Sequence, residues 1–158
     1  MTRDEFIKKF NIIEKEDGSL VCEGDLNCSD NQLTSLPDNL KVKGHLYCSN
    51  KLTSLPDNLK VKGDLYCGYN KLTSLPDNLT VTGDLFCSHN NITELPKNLT
   101  VKGNLYCGNN NLTSLPDNLK VKGNLNCSHN NLTSLPDNLT VTGYLDCSNN
   151  QLTELPDN

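Results

Sequence analysis

Tryptophan is absent from this 158-residue chain, aromatic residues make up only 5% of it, and methionine occurs once. No stretch approaches the roughly 18 consecutive apolar residues that a membrane span requires. Met1-Thr2-Arg3-Asp4-Glu5 also lacks the basic-then-apolar layout of a secretory signal. Excess positive charge is missing too: the formal net charge is -5, which sets the chain as a whole against nucleic acid or an anionic membrane as partner. These absences point to a cytoplasmic chain, of the producing cell or, for an effector exported without a signal, of a host. A mature secreted chain would read the same way.

Cysteine is plentiful, with 8 residues, and its placement explains the rest. Cys28, Cys48, Cys67, Cys87, Cys107, Cys127 and Cys147 follow one another at steps of 20 residues, with a single step of 19. A period of this length is the mark of a repeat architecture, in which length sets the number of coils and the core is thin and continuous. Cysteines recurring at the repeat period form a structural column rather than a disulfide framework, and that usage suits a reducing compartment.

The unit reads Leu-x-Cys-x-x-Asn-x-Leu-Thr-x-Leu-Pro-x-x-Leu-x-Val-x-Gly-x, as in Leu85-Phe86-Cys87-Ser88-His89-Asn90-Asn91-Ile92-Thr93-Glu94-Leu95-Pro96. Alternation in Leu-x-Cys predicts a short strand with Leu46 and Cys48 inward and Tyr47 outward, stacked coil on coil into one parallel sheet. Asn31, Asn70, Asn90, Asn110, Asn130 and Asn150 stand three residues after their cysteines, where amides can satisfy a turning backbone from inside as a ladder. Pro37, Pro56, Pro76, Pro96, Pro116, Pro136 and Pro156 keep the return segment extended and free of helix.

This unit resembles the leucine-rich-repeat consensus, with Cys in place of the second strand leucine, over residues 26 to 158 in seven copies, the last incomplete. The short period and the Leu-Thr-x-Leu-Pro run resemble the bacterial type found in secreted effectors and in related bacterial and phage-borne proteins. Those effectors commonly read Leu-Pro-x-Leu-Pro, whereas here Leu36-Pro37-Asp38-Asn39-Leu40-Lys41-Val42-Lys43-Gly44 carries a Leu-x-Val-x-Gly stretch instead. No counterpart of the ligase domain that follows some of their repeats stands in these 158 residues, so an effector's enzymatic role is not expected to carry over. The resemblance implies a mainly β repeat solenoid with one parallel sheet, an extended, polyproline-like back face and a small N-terminal helical cap. The alternation in Leu-x-Val-x-Gly-x-Leu-x-Cys leaves a parallel β-helix as the alternative.

Residues 1–25 depart from the repeat. Thr2 and Glu5 have capping-box spacing, Phe6, Phe10 and Ile13 share a helical face with Ile7 beside it, Asp17-Gly18 supplies a turn, and Leu20-Val21-Cys22 serves as a first strand. The expected organisation is a helix-turn-strand cap over 1–25 and the repeat array over 26–158. Cys48-Ser49-Asn50-Lys51-Leu52 is one residue shorter than Cys28-Ser29-Asp30-Asn31-Gln32-Leu33, which predicts a tightened turn. At the other end Leu152-Thr153-Glu154-Leu155-Pro156-Asp157-Asn158 stops in mid-coil without a cap, so the array is expected either to self-associate there or to continue in a longer one.

Chemistry-bearing residues are few. A line of thiols one strand spacing apart does not converge as tetrahedral zinc requires, so the cysteines read as core and no metal or cofactor is expected. His45, His89 and His129 lie on outward or turn positions, and no nucleophile-base pair suggests an enzyme. Outward strand positions hold Asn27, Tyr47, Tyr66, Phe86, Tyr106, Asn126 and Asp146. The four central aromatics form a stripe, flanked by His45, Asp64, Asp84 and Asn104, with Tyr69 and His89 beyond the small residues Ser49, Gly68, Ser88 and Gly108. Rigid aromatics ringed by polar groups are how binding hot spots are built, against the plainer reading of a ladder that only stabilises the sheet. Lys41-Val42-Lys43, Lys60-Val61-Lys62 and Lys120-Val121-Lys122 read as a solvated back face whose charge Asp38, Asp57, Asp77 and Asp117 can offset. The Asn-x-Thr triplets follow from the repeat. The expected function is a protein-interaction module that binds a protein partner through Tyr47, Tyr66, Phe86, Tyr106, His45, Asp64, Asp84, Tyr69 and His89, one variant being an effector- or phage-type inhibitor that occludes its target. A self-assembling repeat protein, homo-oligomeric through its C-terminal coil, is the second reading. An enzyme using Asp64, Asp84, His45 and His89 is the third.

Overall fold

The computed structural model describes residues 1–49 and 51–155. The turn expected to tighten passes through Asn50, which lies outside the described residues, as do Pro156, Asp157 and Asn158 of the expected uncapped end.

Each repeat makes one coil of a β-solenoid. The Leu-x-Cys segments pair in register as parallel two-residue strands, from Leu26–Asn27 through Leu46–Tyr47, Leu65–Tyr66, Leu85–Phe86, Leu105–Tyr106 and Leu125–Asn126 to Leu145–Asp146. This is the front sheet. Alternation decides what it buries: Leu65, Leu85 and Leu105 and the cysteines two residues after each are fully buried, and the residue between is half-buried on the outer face.

A second parallel sheet accompanies it, where a single sheet with an extended back was expected. The Leu-x-Val-x-Gly stretch obeys the same period of two, so its apolar positions also turn inward and its backbone also pairs with the neighbouring coil. This back sheet runs from Leu20–Cys22 through Leu40–Val42, Lys60–Val61, Thr80–Val81, Thr100–Val101 and Lys120–Val121 to Thr140–Val141. Val42, Val61, Val101 and Val121 are each 0–1% exposed. In this respect the coil has the two-sheet character of the β-helix alternative. The Leu-Pro-Asp-Asn turn forms no helix among the described residues, in keeping with its proline.

The N-terminal helix spans Arg3–Lys9 and starts with a complete capping box between Thr2 and Glu5. It buries Phe6, which packs on Phe10 at 4.8 Å between ring centroids. Ile13, expected on the same helical face, is not helical. Asn11 takes a left-handed φ of 51°, which ends the helix and turns the chain so that Ile12 is buried and Ile13 is 42% exposed. Ile13–Glu14 then pairs antiparallel with Leu20–Cys22 through a turn at Asp17-Gly18, with Gly18 at φ 76°. Leu20–Cys22 is therefore the second strand of its sheet, and the hairpin protects an edge that would otherwise be open.

Asparagines hold the coils together from inside. Asn110 donates from Nδ2 to the carbonyl oxygens of Cys87 and Cys107, each at 3.1 Å, and its Oδ1 accepts the Ile92 N–H at 3.0 Å. Asn70, Asn90, Asn130 and Asn150 repeat the pattern. Asn31 departs from it, donating to Ser29 and accepting from Lys9 of the helix, because the first coil has no preceding turn to bridge. Among the described residues every buried side-chain N or O has a partner.

Replacing Asn110 by Ala would strand the buried Ile92 N–H and leave the Cys87 and Cys107 carbonyls with only Asn90 and Asn130 as their amide donors, and unfolding in urea should show a loss of about 1–3 kcal/mol. Asn111→Ala, one residue away on the exposed surface, should change stability by less than about 0.5 kcal/mol. Equal effects at both positions would remove the special standing of the ladder.

Candidate functional site

The outward column of the front sheet is where side chains are not dictated by the core. Register places Tyr47, Tyr66, Phe86 and Tyr106 directly beside one another. Their rings stack at 4.7, 4.4 and 4.7 Å with interplanar angles of 9°, 7° and 6°. These spacings match the distance between hydrogen-bonded strands, so the facing ring surfaces within the stack cover one another. Stacking leaves ring edges to meet solvent, the Tyr66 hydroxyl turns to Asp64, and all four residues are half-buried. Stacking contributes to the sheet, on the order of 0.5 kcal/mol or more per pair, so part of the stripe is a structural ladder.

The fold does not require aromatics in this column. Asn27 and Asn126 occupy it in other coils and accept from the N–H of Ser29 and Ser128, each at 3.1 Å, closing a small local turn. Asp146 does the same with Ser148, and those hydrogen bonds hold its carboxyl below the usual carboxylate range. Four adjacent central coils use aromatics where short polar side chains serve elsewhere.

Beside the stripe runs a second ladder, at the corner where the chain passes from back to front sheet. Asp25 Oδ1 accepts the His45 N–H at 2.7 Å, His45 Nδ1 accepts that of Asp64 at 3.0 Å, and Asp64 Oδ1 accepts that of Asp84 at 2.8 Å. Asp84 continues to Asn104, Asn104 to Asn124 and Asn124 to Tyr144 at 2.7–2.8 Å. At the corner these N–H groups find side-chain acceptors one coil back instead of carbonyls. The other oxygens are engaged as well: Asp64 Oδ2 accepts the Tyr66 hydroxyl at 3.3 Å, and Asp84 Oδ2 accepts from Asn104 Nδ2 at 2.9 Å. Burial, followed by the nearby Asp64 charge, raises the Tyr66 phenol above its ordinary range. His45, Asp64 and Asp84 thus work first as backbone acceptors. The sequence carries a signal for this: the residue after the coil's glycine is Asp, His, Asp, Asp, Asn and Asn until Tyr144. The glycine belongs to the same device, since a Cβ at Gly103 would lie 2.0 Å from Asp84 Oδ1 and 2.9 Å from the Gly83 carbonyl carbon.

Tyr69 and His89 form a separate pair on the far side of Gly68 and Ser88, stacked at 4.3 Å and 12°. Both sit at left-handed φ, 55° and 57°, a position filled by Asp30, Asn109, His129 and Asn149 in other coils. Asn and Asp tolerate that conformation, whereas a bulky ring there is unusual. Tyr69 is nevertheless 69% exposed.

The cysteine column lies inside, between the sheets. Burial pushes Cys28, Cys87 and Cys127 up to about 12 and raises Cys48, Cys67 and Cys107 well above the usual thiol range. Among the described residues no group of three or more His, Cys, Asp or Glu could hold a metal ion, and no helix is long and apolar enough to cross a membrane.

Two solved structures are similar to the chain. One is YopM, a leucine-rich effector protein from Yersinia pestis, with 23% identity over 80% of this chain and 55% of that one and a TM-score of 0.43. The other is YopM from Yersinia enterocolitica WA-314, with 24% identity, 85% and 44% coverage and a TM-score of 0.41. The chain spans about half the length of these structures. No protein-family model and no curated protein sequence matches it.

The thiolate is the reactive form of cysteine, so the six buried thiols with raised pKa should resist a maleimide at pH 8 until the protein is unfolded. Cys147, half-exposed on the last coil, should label first. Uniform labelling of all cysteines in the folded protein would contradict the burial described.

Proposed function

We propose that the chain is a protein-interaction module that acts by recognition rather than catalysis, docking a protein partner on the front sheet. The observation that carries this reading is Tyr69, a bulky ring kept exposed at a left-handed backbone position that the repeat elsewhere fills with residues suited to it. Beyond its stack on His89, local stability gives no reason for a tyrosine there, whereas an aromatic anchor beside His89 and the four-ring stripe gives one. The contact residues are Tyr47, Tyr66, Phe86, Tyr106, Tyr69 and His89, with His45, Asp64 and Asp84 holding the stripe's flank and offering their remaining acceptor capacity. Because the facing ring surfaces are taken, a partner meets ring edges. In this reading residues 1–25 cap the array and residues 26–158 present the surface. Covering a partner's surface is how an effector- or phage-type inhibitor works, and the buried thiols suit the reducing cytoplasm of the producing cell or of a host.

Self-association is the second reading, favoured by the last coil, where Tyr144 is 85%, Leu155 65% and Leu145 40% exposed. Mass that rises with concentration in sedimentation, and falls back in a Leu145→Lys variant, would support it.

The first reading is tested by affinity capture from candidate host lysate, comparing the wild type with a folded Tyr66→Ala, Phe86→Ala, Tyr106→Ala variant and with Tyr69→Asn. Tyr69→Asn should keep stability within about 0.5 kcal/mol of wild type or raise it while weakening capture, and the triple variant should lose the partner. Unchanged capture by both variants would reduce the stripe to a structural ladder.

A further inference from the structure

The back sheet carries a concentration of charge that neither the fold nor the front-sheet reading uses. Its outward positions hold Lys41 and Lys43 in one coil, Lys60 and Lys62 in the next, and Lys102, Lys120 and Lys122 two and three coils further on. That is half of the 14 basic side chains of an acidic chain. Register sets Lys41 directly beside Lys60 on the neighbouring strand, an arrangement of like charges that destabilises a sheet. Lys41 lies 3.8 Å from Asp17 and Lys43 2.6 Å from Glu23, both at the N-terminal end. Among the described residues no ion pair joins the back lysines to Asp38, Asp57, Asp77 or Asp117, so the expected offset by those turn residues is not made at contact distance.

The backbone does not need lysine here. Thr80 and Thr82, and Thr140 and Thr142, build the same strands in other coils, and the Thr82 and Thr142 hydroxyls add bonds to the Lys62 and Lys122 carbonyls. Threonine is also the better strand former. Nor does solubility call for these charges, since cations gathered on one face of an acidic chain reduce its net charge.

We infer that the back sheet is a second docking surface, fitted to an acidic segment of a protein. From the Leu40–Val42 strand to Lys120–Val121 it extends about 19 Å at ordinary strand spacing, the length of about six extended residues. The observations favour an acidic polypeptide over nucleic acid. Threonines at 80, 82 and 100 split the lysines into two groups, neither arginine nor an aromatic ring stands in these two outward columns to fork a phosphate or stack a base, and the acidic remainder of the molecule repels a polyanion longer than the patch. This surface stands or falls independently of the aromatic stripe.

The test measures binding of fluorescent poly-L-glutamate and of duplex DNA, at low and at physiological salt, to the whole chain. The comparison is a Lys60→Thr, Lys62→Thr, Lys120→Thr, Lys122→Thr variant, which borrows the chain's own threonine coils and whose fold is checked by circular dichroism. Wild type should bind polyglutamate in a salt-sensitive way, the threonine variant should lose that binding, and the Tyr66→Ala, Phe86→Ala, Tyr106→Ala variant should keep it. No polyglutamate binding by the wild type, or equal binding by the folded threonine variant, overturns the inference. Binding to DNA without binding to polyglutamate overturns it in favour of a nucleic-acid partner.

Discussion

Everything in this molecule depends on satisfying backbone polar groups between coils. A coil of about twenty residues with neither helix nor wide loop on its back turns its chain repeatedly through a dry interior, where an unpaired N–H or carbonyl costs about 1–3 kcal/mol. Strand pairing handles the straight segments. At the inner turn the asparagine amide bridges two cysteine carbonyls and one N–H, and at the corner a short acceptor side chain reaches the next coil's N–H. Both devices work only when neighbouring coils are alike, which is why the sequence repeats so closely.

The same constraint shapes the surface. Because coils stack at the strand spacing, identical outward positions are forced into contact, and an aromatic repeated in adjacent coils must stack face to face. A partner docked on this face, as proposed, would meet ring edges, with the exposed Tyr69 and His89 pair across a strip of small residues. Carboxylates that look like free binding groups in the sequence are largely committed to the corner ladder, so they stiffen the stripe's flank before they meet any partner.

Opposite chemistry occupies the two sheets. The front carries rings and carboxylates, the back carries lysines, and the coil is thin enough that both are held rigidly by one core of Leu, Val and Cys. Under the two docking proposals, neither sheet would have to move for the other to be covered.

The repeat period, the inward columns of Leu and Cys, the asparagine ladder and the N-terminal capping box were all legible in the sequence, because each is a matter of spacing along the chain and of side chains whose role spacing dictates. What needed the tertiary structure was anything decided between coils. The second sheet exists only because Leu-x-Val pairs with its neighbour in the next coil. Ile13 gave way to Ile12 because Asn11 turned left-handed, and Asn31 left the ladder for lack of a coil beneath it. Asp64, Asp84 and His45 read as surface polar groups along the chain, whereas the stack commits their acceptor atoms to the next coil's N–H groups. The outward aromatics could be picked out by position, but their stacking, which hides the faces and leaves the edges, follows from a distance of 4.4–4.7 Å between rings. Period and polarity are written along the chain, whereas partnership across a 20-residue gap is set by the geometry of the stack.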